Sequence, residues 1–144
     1  SEVSVAEAMQ RNVVTVSPDT RIGEVRDEIY RRNYTGFPVV VGGELVGMVT
    51  FDDIRKIPLK EQEVLSVKDV VIRAPITIYP HQSAKVAMDA MYDNDIGRLA
   101  VVEKGNARKL IGIVTRSDVI RAYEREMKRS QVDASGGGRA GDGK

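Results

Sequence analysis

The chain has 144 residues, 42% of them hydrophobic and 30% charged, the composition of one globular domain or two small ones packed together, not of a disordered or fibrous protein. Its 22 basic and 21 acidic side chains leave a net charge of +1, so no global electrostatic footprint for nucleic acid or an anionic membrane exists. Cysteine is absent and His81 is the single histidine, which removes disulfides, thiolate metal sites and cysteine nucleophiles and leaves one histidine for base chemistry. The lack of cysteine fits a reducing cytosol. No apolar run approaches the roughly 18 residues of a membrane span, and no charged-then-apolar signal segment opens the chain. With two Phe and no Trp, a ligand pocket here must be walled by aliphatic side chains.

In chain order, Val13 to Val16 reads as a short strand, followed by a Ser17-Pro-Asp-Thr20 turn. A helix is expected from about Thr20 to Arg32, with Ile22, Val25 and Ile29 on one face. Phe37-Pro38-Val39-Val40-Val41 reads as a buried strand, Gly42-Gly43 as a two-residue hairpin turn, and Leu45 to Val49 as the returning strand. Thr50 opens a second helix through Ile54. The same order follows again: a strand at Ile76 to Ile78, a helix from Ser83 to Asp93, a hairpin of Leu99 to Val102 and Leu110 to Val114, and a helix from Arg116 to Lys128.

The second half is an internal repeat of the first. Laying Ser4-Val5 on Ser66-Val67 brings Arg11 onto Arg73, Thr15 onto Thr77, Pro18 onto Pro80 and Val39-Val40 onto Val101-Val102. After a short insertion between Glu103 and Lys109, Gly47, Val49, Thr50 and Asp53 fall on Gly112, Val114, Thr115 and Asp118. The fold class is therefore mixed α/β (α+β), a β-α-β-β-α unit in tandem. The repeats are read as residues 1–57 and 64–129, with a linker over 58–63. A unit of this length is marginal alone, so the two are expected to share a core. The Gly- and Ser-rich stretch 130–144 reads as a disordered tail. Its Gly138, Gly143 and Lys144 imitate a phosphate loop, but that loop needs a strand before it and a Ser or Thr and a helix after it.

Gly47-Met-Val-Thr50-Phe-Asp-Asp53 and Gly112-Ile-Val-Thr115-Arg-Ser-Asp118, in matching places of the two repeats, resemble the closing signature of a CBS motif. Met9 to Thr20 resembles the opening of one. The pair, covering about residues 4 to 128, is similar to a Bateman module. The resemblance implies two motifs packed about a pseudo-twofold axis with two clefts, and a sensor rather than an enzyme. Such modules bind AMP, ADP, ATP or S-adenosylmethionine, and commonly pair into a homodimeric disc of four motifs.

Thr50 with Asp53, and Thr115 with Asp118, have the spacing of helix capping boxes. In the repeat frame the resemblance adds a ligand role, in which each carboxylate accepts both hydroxyls of a ribose and each Thr offers its hydroxyl. Arg98 stands where the family holds phosphate with a basic residue, and a planar fork suits that task. The first repeat has Gly36 in its place, so the two clefts are expected to be unequal. The adenine is expected between Val14, Phe37 and Pro38 in one site and Ile76, Leu99 and Ala100 in the other, with backbone groups of Val14 and Ile76 reading its edge. All of these also suit a plain core. Arg21 and Arg116 are candidates for added positive charge, and His81 is expected in an exposed turn. No catalytic or metal-binding set is assembled. The expected function is a cytoplasmic regulatory module for an adenosine-containing ligand, acting on a separate effector protein. The alternatives are a structural dimerisation module or an S-adenosylmethionine-binding one.

Overall fold

The computed structural model describes residues 2–70 and 73–141. Ser4 opens the first helix, α1 (Val5–Ala8), by a capping box: its hydroxyl takes the Glu7 N–H at 3.2 Å and its own N–H donates to Glu7. The chain then runs to α2 (Ile22–Arg32), which buries the expected Ile22, Val25 and Ile29 and ends at Asn33 in the left-handed region. Strands β1 (Gly36–Val41) and β2 (Glu44–Thr50) form an antiparallel hairpin. Its turn residues Gly42 and Gly43 have φ of 55° and 81°, the mirror-type turn whose twist suits a two-residue hairpin. A short α3 (Phe51–Ile54) follows, then a helical turn α4 (Leu59–Gln62) in the linker.

The second repeat opens with a 3-10 turn, Val67–Asp69, boxed by Ser66 and Asp69 as α1 is boxed by Ser4 and Glu7. It continues through β3 (Thr77–Ile78), α5 (Ala84–Asp93, capped by Ser83), β4 (Arg98–Glu103), β5 (Asn106–Thr115) and α6 (Arg116–Gly141). Strand β3 lies parallel to β4, and β4 antiparallel to β5.

Two expectations are corrected. The strand expected over Val13–Val16 contracts to one bridge, where Val16 pairs in parallel with Val39. Upstream, Gln10 pairs with Ile113 of β5 through N–H···O bonds of 2.8 and 2.9 Å, as Arg73 pairs with Met48 ahead of β3, but the first repeat has one residue more between this bridge and the next. The segment thus crosses from one sheet edge to another and spends its backbone on both. The backbone from Ser130 to Gly141, expected to be disordered, is helical. Extending α6 adds one bond per residue fixed, without a new nucleus, against about 1 kcal/mol for each glycine. Among the described residues of α6, Ala122 is the last that is buried. Gly143 and Lys144 lie outside the described residues.

The repeats are laced together at their beginnings. Val3, Val5 and Ala8 are buried with Ile78, Ala84, Met91 and Leu99 of the second repeat, and Val5 N–H donates to Gln82 O at 2.8 Å. Reciprocally, Val67 is buried with Ile22, Val25 and Phe37 of the first repeat, and its N–H donates to Thr20 O at 2.9 Å. A third apolar cluster joins the halves, with Leu45 against Ala100, Val102 and Ile113. Neither core is complete without residues from the other half of the sequence.

Candidate functional site

Both signatures fold as their spacing requires. Thr50 leaves β2 with extended dihedrals and caps α3; the Asp53 N–H donates to its hydroxyl at 3.3 Å, and Asp53 Oδ2 accepts from Thr50 N–H at 2.9 Å. At the start of α6, Asp118 N–H donates to Thr115 at 3.1 Å and Asp118 Oδ2 accepts from Thr115 N–H at 2.9 Å. The capping box thus uses one carboxylate oxygen of each acid. The other oxygen faces the opposite repeat. Asp53 Oδ1 accepts Arg73 Nε at 2.8 Å, while Asp118 Oδ1 accepts Gln10 Nε2 at 2.8 Å and Arg121 at 2.7 Å. Both acids are sequestered, with side chains 9% and 3% exposed. A ribose diol reaches either one only by taking over those contacts.

Gln10 and Arg73 are structural counterparts, because Gln10 bridges Ile113 as Arg73 bridges Met48. This corrects the sequence register that laid Arg11 on Arg73, which is one residue out at this point. The one-residue difference is absorbed before Val16 and Ile78, whose pairings with Val39 and Val101 again match.

Arg98 stands at the start of β4, opposite Thr115 in the register. Its guanidinium carbon lies 4.4 Å from the centre of the Tyr34 ring, which belongs to the first repeat. Its Nε is buried and has no hydrogen-bond partner among the described residues. Burial holds Arg98 below the usual guanidinium range, while Tyr34 and Asp118 act in the opposite direction. A side chain built at neighbouring Gly97 would lie 3.6 Å from Arg116 Nη1 and 3.7 Å from Thr35 Oγ1, so a second arginine and a hydroxyl border the same place. Arg116 forms no ion pair among the described residues. Gly36, which stands in register where Arg98 does, has a steric reason: a Cβ there would meet Val49 O at 2.6 Å.

The expected apolar walls divide in two. Phe37 and Leu99 are wholly buried in the first and second cores, Ala100 in the cluster between them, and Pro38 beside Phe37 in β1. Val14 and Ile76 are half-buried. Val14 and Phe37 also border a cavity of about 440 Å³ closed by Glu24, Glu28 and the Gly42-Gly43 turn, which none of Thr50, Asp53, Arg98, Thr115 or Asp118 lines. Arg21 is turned away, donating to Val64 O. His81 is exposed and stacks on Tyr79 with ring centres 5.7 Å apart. Among the described residues no three His, Cys, Asp or Glu side chains could hold a metal ion. No described helix is long and apolar enough to cross a membrane. Gln10, Tyr34, Thr35 and Arg73 escape a reading of the sequence, because their part in the site depends on the crossing of the repeats.

This architecture has relatives. An inosine-5′-monophosphate dehydrogenase from Korarchaeum cryptofilum is 35% identical over 125 residues, covering 82% of this chain and 25% of its own length. The chain thus spans about a quarter of the dehydrogenases it matches, a Methanocaldococcus jannaschii one included, at 22%. The crystal structure of CBSX2 in complex with AMP superposes with a TM-score of 0.74 at 26% identity, over 87% of this chain and 98% of that one. The CBS domain pair of protein MJ0100, in complex with 5′-methylthioadenosine and S-adenosyl-L-methionine, has the same fold, with a TM-score of 0.73 at 23% identity, over 88% of this chain and 99% of that one. The CBS domain family matches residues 5–60 and 67–125 in turn. The chain belongs to the CBS domain family and carries two such domains, interlocked as a pair.

Proposed function

We propose that the chain is a regulatory module that binds an adenine nucleotide of the AMP, ADP or ATP type and performs no chemistry on it. The observation that carries this reading is Arg98, a half-buried guanidinium whose Nε has no partner among the described residues, beside a second arginine, Arg116, and neither forms an ion pair among those residues. Two arginines at one place, outside any ion pair of the described residues, suit a phosphate. They lie where α6 begins, whose 26 residues align far more peptide dipoles than the single turn of α3. Asp118 is the ribose acceptor in this reading, with Gln10 and Arg121 giving way to the diol. Thr115 adds its hydroxyl, and half-buried Ile76 offers backbone groups to the base.

The other cleft is electrostatically different. Asp53 pairs with Arg73 as Asp118 pairs with Arg121, but Gly36 supplies no cation. It is suited to a less charged ligand, or stays empty. S-adenosylmethionine is disfavoured beside Arg98, because its sulfonium would face two guanidinium groups.

The outer face of α5 and α6 supports pairing of two chains. Ile120 and Met127 are 53% and 61% exposed, and a groove of about 380 Å³ runs between Met88, Val119 and Tyr123. Its rims carry Glu124 and the Lys85–Asp89 ion pair of α5. In this reading occupancy of the cleft regulates a cytoplasmic effector protein.

The test is a thermal-shift series with AMP, ADP, ATP, S-adenosylmethionine and a guanine nucleotide as control. A ligand at a hundred times its Kd adds about 2.7 kcal/mol of stability, which a melt detects. A rise with an adenine nucleotide and none with the control supports the reading. No rise with any of them leaves a structural dimerisation module.

A further inference from the structure

We propose that Tyr34 is the positioning residue for Arg98, and that this contact between the repeats makes only one of the two quasi-equivalent clefts competent for a phosphorylated ligand. The inference rests on the reading of Arg98 as the group that meets the phosphate.

Tyr34 is placed by local chain geometry. Asn33 ends α2 with φ of 58°, a left-handed cap that asparagine tolerates. The chain turns there, and Tyr34 N–H donates back to Ile29 O at 3.1 Å. The Tyr34 ring then rests against Phe37, with centres 5.7 Å apart at 54°. Phe37 is wholly buried in the first core, so the ring has a fixed backing. Arg98 lies against this ring at 4.4 Å.

The chemistry of the contact is selective. A carboxylate partner would fix Arg98 by consuming its N–H donors and cancelling its charge. An aromatic face holds a guanidinium by its plane and leaves both charge and donors available. That is the state an anion site requires before its ligand arrives.

The pseudo-symmetry supplies a second, independent observation. At the reciprocal place Asp95 repeats the left-handed cap with φ of 51°, but Ile96 follows it instead of a tyrosine. The strand position equivalent to Arg98 is Gly36, where a Cβ would clash with Val49 O. The ring and the cation are present together on one side and absent together on the other.

The experiment is isothermal titration of the full chain with AMP and with adenosine as probes. Their affinity ratio reads the phosphate contact alone, which a merely structural role for Tyr34 would not move. Arg98→Ala and Tyr34→Ile (the residue found at the reciprocal place) are each expected to lower the AMP-to-adenosine ratio about five- to tenfold. The double variant should fall no further than the larger single effect, and Tyr34→Phe should keep the wild-type ratio. If Tyr34→Ile does not fold, Tyr34→Met, which keeps bulk without a ring, is judged on the same ratio. A wild-type ratio in the Tyr34 variant, with loss in Arg98→Ala, overturns the positioning role. Equal binding of both probes by the wild type overturns the phosphate role of Arg98, and binding of neither removes the nucleotide reading and this assignment with it.

Discussion

Val5 and Val67 occupy matching places in the two repeats, and each is buried in the core of the other. The consequence is thermodynamic coupling. Val5→Ala and Val67→Ala each delete two buried methyl groups from the half in which the residue is packed, at a cost of about 1.5–3 kcal/mol. Urea unfolding is expected to stay a single transition in both variants, with a lower midpoint. Two separated transitions would show that the halves are independent.

Gly36 and Gly97 make a contrasting pair. A Cβ at Gly36 meets backbone oxygen at 2.6 Å, and backbone cannot swing aside, so Gly36→Ala should destabilise by about 1–3 kcal/mol. At Gly97 the nearest atoms lie at ordinary contact distance, and Gly97→Ala should change stability by less than about 0.5 kcal/mol. Thermal melts of the two variants side by side test this, and equal effects would refute it.

Removal of the signature acids should cost unequally. Asp118→Ala deletes a cap, leaves the Thr115 N–H unpaired in a half-buried place and forfeits the contacts of two side chains, Gln10 and Arg121, an expected loss of about 2–3 kcal/mol. Asp53→Ala deletes an equivalent cap, but Arg73 is largely exposed and returns to water, so about 1–2 kcal/mol is expected. Chemical denaturation gives both numbers. Ligand binding by either variant is interpretable only below its own melting range.

Arg98→Leu separates stability from binding. The substitution forfeits a cation–aromatic contact of about 0.5–2 kcal/mol and relieves an unpaired buried donor costing about 1–3 kcal/mol. These nearly cancel, so a melting temperature within a few degrees of wild type is expected, together with weaker AMP binding. A large fall in melting temperature would mean that the guanidinium serves the fold first.

Glu28 provides a pH test. Hydrogen bonds from Arg31, then Arg32, hold its carboxyl below the usual carboxylate range. Its contribution to stability is therefore full above the unfolded value and is lost as pH falls through the lower folded value. NMR titration should find Glu28 still ionised where the exposed carboxylates protonate, and Glu28→Gln should flatten that part of the acid limb. A Glu28 titrating with the other glutamates would contradict the arrangement.

The repeat, the order of elements and both capping boxes are legible in the sequence, because each depends on neighbours a few residues apart. Thr50 and Asp53 announce themselves by spacing, and Ile22, Val25 and Ile29 by period. What the sequence hides is exchange between the halves. No local pattern tells that Gln10 will reach Asp118, that Arg73 will reach Asp53, or that Tyr34 will lie under Arg98. Nor does it tell that the strand expected at Val13 contracts to the single bridge of Val16 to Val39. The helical stretch past Ser130 is hidden for another reason: its composition argues for coil, whereas the preceding turns of helix lower the cost of continuing.

The crossing of α1 into the second repeat also sets an order of events during synthesis. Val5 finds its partners at Gln82 and Met91, and Arg125 of α6 bonds to Glu7 O, so α1 leaves the ribosome well before the residues that seat it. The hairpin of β1 and β2 can zip as it leaves the ribosome, but its core waits for Val67. Contacts of such long sequence separation slow folding and leave apolar surface open meanwhile. A ribosome-stalled chain ending before α5 should accordingly remain sensitive to protease around α1.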